Sequence, residues 1–177
     1  MMDLFEAIKT RRSIRAYRPD PLAPHTIEQL VRVLQNSPMA SNAQELRLIV
    51  VQQPARIRAV RRFAPGLSGH PAAVLVLAAD TELAKARGGK DGRDVALYLN
   101  AGVTLAYLLL AAHGLGLGAC PVRSFHAAAI RTILDMPVSV EPVVLISVGY
   151  PAEAPRAKAV PSMDEVVFYE RYAQSRA

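Results

Sequence analysis

Three arginines and one serine lie within five residues near the start of the chain, in the order Arg11, Arg12, Ser13, Ile14, Arg15. Guanidinium groups donate paired hydrogen bonds to phosphate oxygens, and a serine hydroxyl adds a neutral donor without crowding the anion. The same residue pattern also occurs in solvated helix ends and in nucleic-acid contacts. Anion binding is therefore one of three interpretations of this cluster.

A second group of polar side chains lies in the loop of residues 38–44, just before an apolar segment. Its hydroxyl and amide groups belong to Ser41, Asn42 and Gln44. Amides donate and accept hydrogen bonds, which suits the uracil-like edge of a flavin or its ribityl chain. Ordinary turns use the same residue types, so the loop alone supports both interpretations.

Two further segments combine turn residues with apolar runs. The glycines of residues 114–122 follow a predicted helix and lead into a predicted strand. The dinucleotide-binding fingerprint has the opposite order, so we interpret these glycines as a helix cap and not as a Rossmann site.

Residues 149–158 end in two cations, the second of which is Lys158. This tail either remains solvated or meets a phosphate held by Arg11 or Arg12.

The other candidates for chemistry lack the neighbours that they need. The histidines are scattered, without the close spacing of a metal site, so no metal is predicted. The single cysteine, Cys120, lies in an apolar segment with no adjacent base, which favours a packed small residue over a nucleophile. No catalytic side chain is predicted.

Apolar periodicity and turn residues divide the chain into alternating helices and strands. The predicted elements are a helix beginning after Asp3, a helix over 26–36, a strand at 46–51, a helix from Pro54, a strand at 72–79, a polar stretch at 81–92, a long apolar helix at 94–113, a strand at 118–122, a helix at 127–134, a strand at 142–148 and a tail from Gly149. Capping signals at Asp3 with Glu6, and at Thr26 with Gln29, mark the first two helices. This alternation predicts an α+β or α/β protein with a central sheet.

Two of the helices have sides whose burial is predictable. In the helix from Pro54, we expect Ile57, Val60 and Phe63 to face inward while its arginines remain solvated. The helix at 94–113 is apolar on every side, which predicts burial all round, with a partner chain covering part of it. We therefore expect a dimer.

The composition fits a single domain over residues 1–177. The chain is 51% hydrophobic and long enough to bury a core, and polar residues within the apolar run at 95–112 favour a buried helix over a membrane span. A single cysteine and the lack of a signal sequence predict a cytoplasmic protein. The net charge of +6 attracts phosphates, nucleotides and nucleic acid alike, so charge does not choose among them.

In this order the four segments resemble the nitroreductase-like family of FMN-dependent oxidoreductases, over nearly the whole chain. The family motifs are Arg-Arg-Ser-Ile-Arg with a following aromatic, Pro-Ser-Ala-x-Asn-x-Gln, Gly-Leu-Gly-x-x-Cys and Gly-Tyr-Pro-x-x-x-Pro, and here they occupy residues 11–17, 38–44, 114–120 and 149–155. The resemblance implies an α+β fold with a central, mostly antiparallel sheet flanked by helices and a long buried central helix. It also implies a homodimer with FMN at the interface.

The resemblance assigns cofactor contacts to the arginine cluster and the tail. Arg11, Arg12 and Lys158 would bind the FMN phosphate. Ser13 would lie near the flavin ring and the ribityl chain, and Arg15 would face the pyrimidine edge. A cation at that edge stabilises the negative charge that collects there on reduction.

Two more groups of residues receive roles from the resemblance. The first reaches across the interface to the partner's cofactor and consists of Ser41, Asn42 and Gln44. The second lies near the reactive nitrogen of the flavin ring and consists of Pro121, Val122 and Arg123.

The sequence departs from the family motifs at four positions. Met39 replaces a serine, Glu45 and Leu46 replace a Pro-Trp pair, and Val160 replaces a second tail cation. We expect a different wall on the substrate side and a phosphate site that depends more on the remaining cations.

The function that the resemblance implies is electron transfer from NAD(P)H through FMN to a small oxidised acceptor, such as a nitroaromatic or a quinone, in a ping-pong cycle. One alternative is an FMN-binding or flavin-transforming relative that nicotinamide does not reduce. The other is a basic nucleic-acid-binding module, which the absence of a recognised motif and an aromatic content of 6% disfavour. Neither a nucleic-acid partner nor a membrane is expected.

Overall fold

The computed structural model describes residues 2–173, which form one four-stranded antiparallel sheet with helices on both faces. The strands are β1 (Leu46–Val51), β2 (Ala73–Asp80), β3 (Gly118–Val122) and β4 (Val140–Gly149), and the helices are α1 (Leu4–Thr10), α2 (Pro24–Asn36), α3 (Pro54–Arg62), α4 (Thr81–Asp91), α5 (Leu97–Gly114), α6 (Ala127–Ile133) and α7 (Met163–Val166). The strand order β1-β2-β4-β3 places β1 and β3 at opposite edges. The predicted α+β class and antiparallel sheet are confirmed.

The two faces of the sheet bury alternate residues of the central strands, as the period of a strand requires. On one face Leu75 and Ile146 pack with α2 and α5, and on the other face Val74 and Leu145 pack with α3 and α6. All of β2 except its last residue is buried, so this strand lies in the middle of the core. The helices therefore cover both faces of the sheet, and only its ends and edges are available for a functional site.

Two predictions about helices were wrong: where α2 begins, and whether residues 81–92 form a helix. Helix α2 begins at Pro24, because proline at the first helical position has no N–H to satisfy; Thr26 is a buried residue within the helix and not its cap. The predicted polar stretch is helix α4, and the Asp80 carboxylate caps it by accepting a hydrogen bond from the Leu83 N–H at 3.1 Å.

The apolar side chains of the long helix are divided between a buried and an exposed side. Leu108 and Ala112 pack against the sheet, whereas Leu99 is 65% exposed and Tyr107 is 44% exposed. The prediction of burial on every side is therefore wrong for a single chain. The predicted inward position of Phe63 is also wrong, because its side chain is 45% exposed.

The helical stretch around α5 also has the length and composition of a membrane span. Within the helical stretch Thr81–Gly114, which is kinked at Gly89 (φ 63°), one window of 18 residues has a mean hydropathy of 1.8. Its buried side packs against the sheet, which is the position of a core helix.

Candidate functional site

The arginine cluster lies between the edge strand β3 and the tail that follows β4. Ser13 pairs with Ala119 in a parallel bridge, and the Ile14 N–H donates to the Ala119 carbonyl at 3.1 Å. On the tail side, the Ala152 N–H donates to the Ala16 carbonyl at 3.0 Å. The structure therefore brings together three of the four sequence motifs: the arginine cluster, the glycine segment and the tail.

Glu153 fixes the backbone of the arginine cluster. Its Oε1 accepts hydrogen bonds from the N–H groups of Arg15 and Ala16, at 2.6 and 3.1 Å. The bond from the Arg15 N–H, with that from Ala16, lowers the pKa of Glu153 below its ordinary value. This carboxylate remains ionised and is held by main-chain donors. Sequence reasoning missed it, because its partners lie about 140 residues away and no motif joins them.

Tyr17 anchors the same segment from the buried side. Its hydroxyl donates to the Ile14 carbonyl and lies 2.7 Å from the Ser147 Oγ on β4. Burial raises the pKa of Tyr17 far above its ordinary value, so the phenol stays protonated. The aromatic residue that ends the arginine motif therefore holds the motif against the sheet.

The side chain of Arg12 is oriented by the end of helix α1. Its Nη1 donates to the carbonyls of Lys9 and Arg11, at 2.8 and 2.7 Å. Within residues 2–173 the ion pairs are Arg18 with Asp20 and Arg47 with Asp80, so neither Arg11 nor Arg12 forms an ion pair. The ionised Glu153 lies against the backbone of Arg15 and interacts with its charge. Arg11 and Arg12 are therefore the cations of the cluster that no carboxylate pairs with.

His113, at the C-terminal end of α5, lies beside the arginine cluster. Its Nε2 lies 2.8 Å from the Thr10 Oγ1. The Thr10 Oγ1 also lies 2.6 Å from the Glu6 carbonyl, to which its hydroxyl donates. Burial, together with the nearby charges of Arg11 and Arg12, lowers the pKa of His113. The imidazole is therefore neutral at pH 7, and sequence reasoning did not identify it.

A small cavity opens beside these side chains. It has a volume of about 190 Å³, and its lining includes Thr10, Arg12, His113 and Glu153. Pockets for cofactor-sized ligands generally enclose about 300–1,000 Å³. One chain therefore offers only part of such a pocket here.

The polar loop of residues 38–44 is not beside the arginine cluster. It leads directly into β1, at the opposite edge of the sheet from β3. Adjacent strands are about 4.8 Å apart, so roughly 14 Å of sheet separates the two edges. Ser41, Asn42 and Gln44 are exposed and have positive φ angles of 54°, 47° and 55°. The structure of one chain thus keeps these three residues apart from the arginines.

The remaining predicted residues lie at the end of β3 and in the tail. Val122 is buried at 3% exposure, Pro121 is half-buried, and the exposed Arg123 stacks over the ring of Phe125 at 5.3 Å. Lys158 is exposed in the tail after β4.

A family model described as the Nitroreductase family matches residues 8–71 and 67–150. The chain belongs to the nitroreductase family. An NADH dehydrogenase from Thermus thermophilus is 31% identical over 86% of this chain and 89% of its own length. An FMN reductase [NAD(P)H] from Bacillus subtilis is 26% identical over 97% of this chain and 75% of its own.

Other relatives in the family show both its range and its fold. A 5,6-dimethylbenzimidazole synthase from Rhodobacter capsulatus is 29% identical over 84% of this chain and 83% of its own. Among solved structures, a nitroreductase family protein from Clostridium difficile superposes with a TM-score of 0.85 at 24% identity, covering 97% of this chain and 99% of that one. The nitroreductase fold predicted from the motifs is confirmed.

Proposed function

We propose that this nitroreductase-family chain is an FMN-dependent enzyme that takes electrons from NAD(P)H and passes them to a small oxidised acceptor. Family membership and the FMN reductase relative support the cofactor and the electron donor. The observation that carries the proposal is the position of Arg11 and Arg12, which form no ion pair within residues 2–173, beside Ser13 at the edge of the sheet.

The donors at the arginine cluster fit the phosphate end of FMN. Arg12 uses Nη1 for main-chain carbonyls, and its remaining N–H groups form no hydrogen bond within residues 2–173. Guanidinium groups without a carboxylate partner are suited to a dianionic phosphate. We assign the phosphate to Arg11, Arg12 and Lys158, the ribityl chain and ring to Ser13, and the pyrimidine edge to Arg15.

The rest of the site comes from a second copy of the chain. Ser41, Asn42 and Gln44 lie at the far edge of the sheet, so they contribute only to a partner's cofactor. A groove of about 610 Å³ between α1, α2 and α5 exposes apolar side chains, including Leu4 and Tyr107, that a partner would cover. We therefore propose a homodimer with the flavin between subunits, in which Pro121, Val122 and Arg123 face the flavin ring. The cytoplasmic location remains a prediction.

Bound flavin would supply the redox chemistry by carrying hydride between the nicotinamide and the acceptor, which implies a ping-pong cycle. The residues of the chain would position the reactants and stabilise charge. Arg15 would place a cation beside the pyrimidine edge, and its backbone is held by the hydrogen bond that its N–H donates to Glu153. Nitroaromatics and quinones are the proposed acceptors, and water delivers the protons.

Absorption spectroscopy without oxygen tests the proposal. The purified protein should bind FMN, and the visible flavin bands should bleach when NADH or NADPH is added. Acceptor added afterwards should restore the bands. If no flavin binds, the proposal is wrong.

A second candidate function is a flavin-binding relative that nicotinamide does not reduce. The similarity to a synthase favours this candidate, as does the replacement of the Pro-Trp pair by Glu45 and Leu46. Bound flavin that fails to bleach with either nicotinamide would support it over the reductase.

A further inference from the structure

A buried hydrogen-bond network fixes both ends of the polar loop to helix α5. The Asn100 Oδ1 accepts from the Ala40 N–H at 2.9 Å, and the Asn100 Nδ2 donates to the Glu45 Oε1 at 2.7 Å. Glu45 is 1% exposed and Asn100 is 5% exposed. Ala40 and Glu45 bracket residues 41–44, so one amide side chain holds the loop at its start and at its end.

The bracketed residues adopt a backbone conformation that needs support. Ser41, Asn42 and Gln44 all lie in the left-handed region, which L-residues other than glycine seldom occupy. Such a conformation persists only when the surrounding structure holds it in place. Within the loop, the Gln44 Nε2 donates to the Asn42 Oδ1 at 2.7 Å, and this contact links two exposed side chains. The Arg47 Nη1 also donates to the Gln44 carbonyl at 2.8 Å, from an exposed position, and Ala43 is buried. Asn100 supplies the hydrogen bonds that hold the loop from the buried side.

Packing alone does not account for a carboxylate at position 45. The Glu45 Oε2 has no hydrogen-bond partner among the described residues, and the same is true of the Thr104 Oγ1, one turn further along α5. Burial of an incompletely bonded carboxylate is unfavourable, and an apolar residue of similar volume would fill the space better. The contact that the carboxylate does make is the one that orients Asn100.

We propose that Glu45 and Asn100 are positioning residues that hold residues 41–44 in the conformation that contacts the partner subunit's flavin. This inference rests on the proposed function. Glu45 occupies the position where the family motif has a proline, whose ring fixes the backbone directly. In this chain, hydrogen bonds to a buried amide fix the loop instead.

The first test uses the amide hydrogen of Ala40 as a reporter in the flavin-free protein. Asn100→Leu keeps the branched shape of the side chain and removes both hydrogen bonds, so hydrogen exchange at Ala40 should become about tenfold faster. Glu45→Leu removes the acceptor from the other end and should act in the same direction, which provides a second variant if the first does not fold. Glu45→Gln retains an acceptor for Asn100, so exchange should stay within about twofold of the unmodified protein.

The second test compares the affinities for FMN and riboflavin. FMN and riboflavin share the ring and the ribityl chain that the loop would contact, so Asn100→Leu should weaken the binding of both ligands equally, by about tenfold. Glu45→Gln should leave both affinities within about twofold of the unmodified protein. Val60→Ala in α3 is the matched control, because it creates a cavity on the opposite face of the sheet and should lower thermal stability without changing either affinity.

The outcomes separate this inference from the proposed function. Unchanged exchange at Ala40 in both leucine variants would overturn the inference, as would faster exchange with unchanged flavin affinity. A loss confined to FMN would assign Asn100 to the phosphate site and would also overturn it. If the unmodified protein binds no flavin, the proposed function and the flavin contact both fail, while exchange at Ala40 still decides whether the network fixes the loop.

Discussion

Replacement of Arg12 by alanine should weaken the binding of FMN and leave the binding of riboflavin unchanged. The Nη1 of Arg12 donates hydrogen bonds to two carbonyls at the end of α1, and the N–H groups of Nε and Nη2 remain available for a phosphate. A hydrogen bond to a charged group contributes about 1.5–3 kcal/mol. Because Arg12 is half-buried, we take the lower part of this range, which corresponds to roughly a 10- to 30-fold weaker affinity for FMN.

Titration of the flavin-free protein, followed by flavin fluorescence, measures both affinities for the Arg12→Ala variant. Arg56→Ala is the matched control, since it removes an exposed arginine of α3 and should change neither affinity. Arg12→Lys keeps the charge but loses the paired donors, so its affinity for FMN should fall between those of the other two. Equal losses for FMN and riboflavin would refute the assignment of Arg12 to the phosphate.

Three other predictions follow from contacts of the described residues. Tyr17→Phe removes the hydroxyl that forms hydrogen bonds with Ile14 and Ser147. Urea denaturation should therefore show a loss of about 1–2 kcal/mol in the free energy of unfolding. An unchanged denaturation midpoint would contradict the role of the hydroxyl. Val103→Glu places a charge on the exposed side of α5, which the proposed dimer would bury. Light scattering should detect dimers of the unmodified chain and monomers of the variant. Dimers of the variant would show that this side is not the interface. The pKa of His113 is lower in the folded than in the unfolded state, so the unfolded state binds more protons below about pH 6.5 and the protein should lose stability as pH falls through that value. The free energy of unfolding, measured by urea denaturation, should differ less between pH 5.5 and pH 7.5 for His113→Gln than for the unmodified protein. An equal difference in the two proteins would show that His113 is not the source of the pH dependence.

The sequence predicted the strands better than it predicted the helix ends. Residues 46–51 and 118–122 are strands over the predicted bounds, because each is a short apolar run between turn residues. Helix α4 was missed because its sequence is polar, has little apolar periodicity and contains Gly88 and Gly89, which are typical of a loop.

Periodicity identified apolar sides but could not show what covers them. Leu4, Phe5 and Ile8 share one side of α1, and all three are exposed in the single chain. The same holds for Leu99 and Tyr107 on α5. An apolar side of a helix is stabilised by burial against another surface, and periodicity does not show whether that surface belongs to the same chain or to another.

The candidate site was predictable where its residues are contiguous, and only there. Arg11, Arg12 and Ser13 form one motif, and their proximity to β3 and the tail confirms that three motifs meet. Glu153 and His113 act through contacts with residues more than 100 positions away, so no local pattern could indicate them. The individual cofactor contacts remain predictions.

The bond between Arg15 and Glu153 closes a loop of 138 residues, and this has a consequence for the newly made protein. Contacts between distant residues form late, because the entropy of closing the chain must be overcome before they stabilise it. During synthesis, the arginine segment is made before β3, β4 and the tail that fix it. We expect cofactor capture only after Glu153 has been made and has reached the arginine segment, so a truncation before Glu153 should yield protein that retains no flavin.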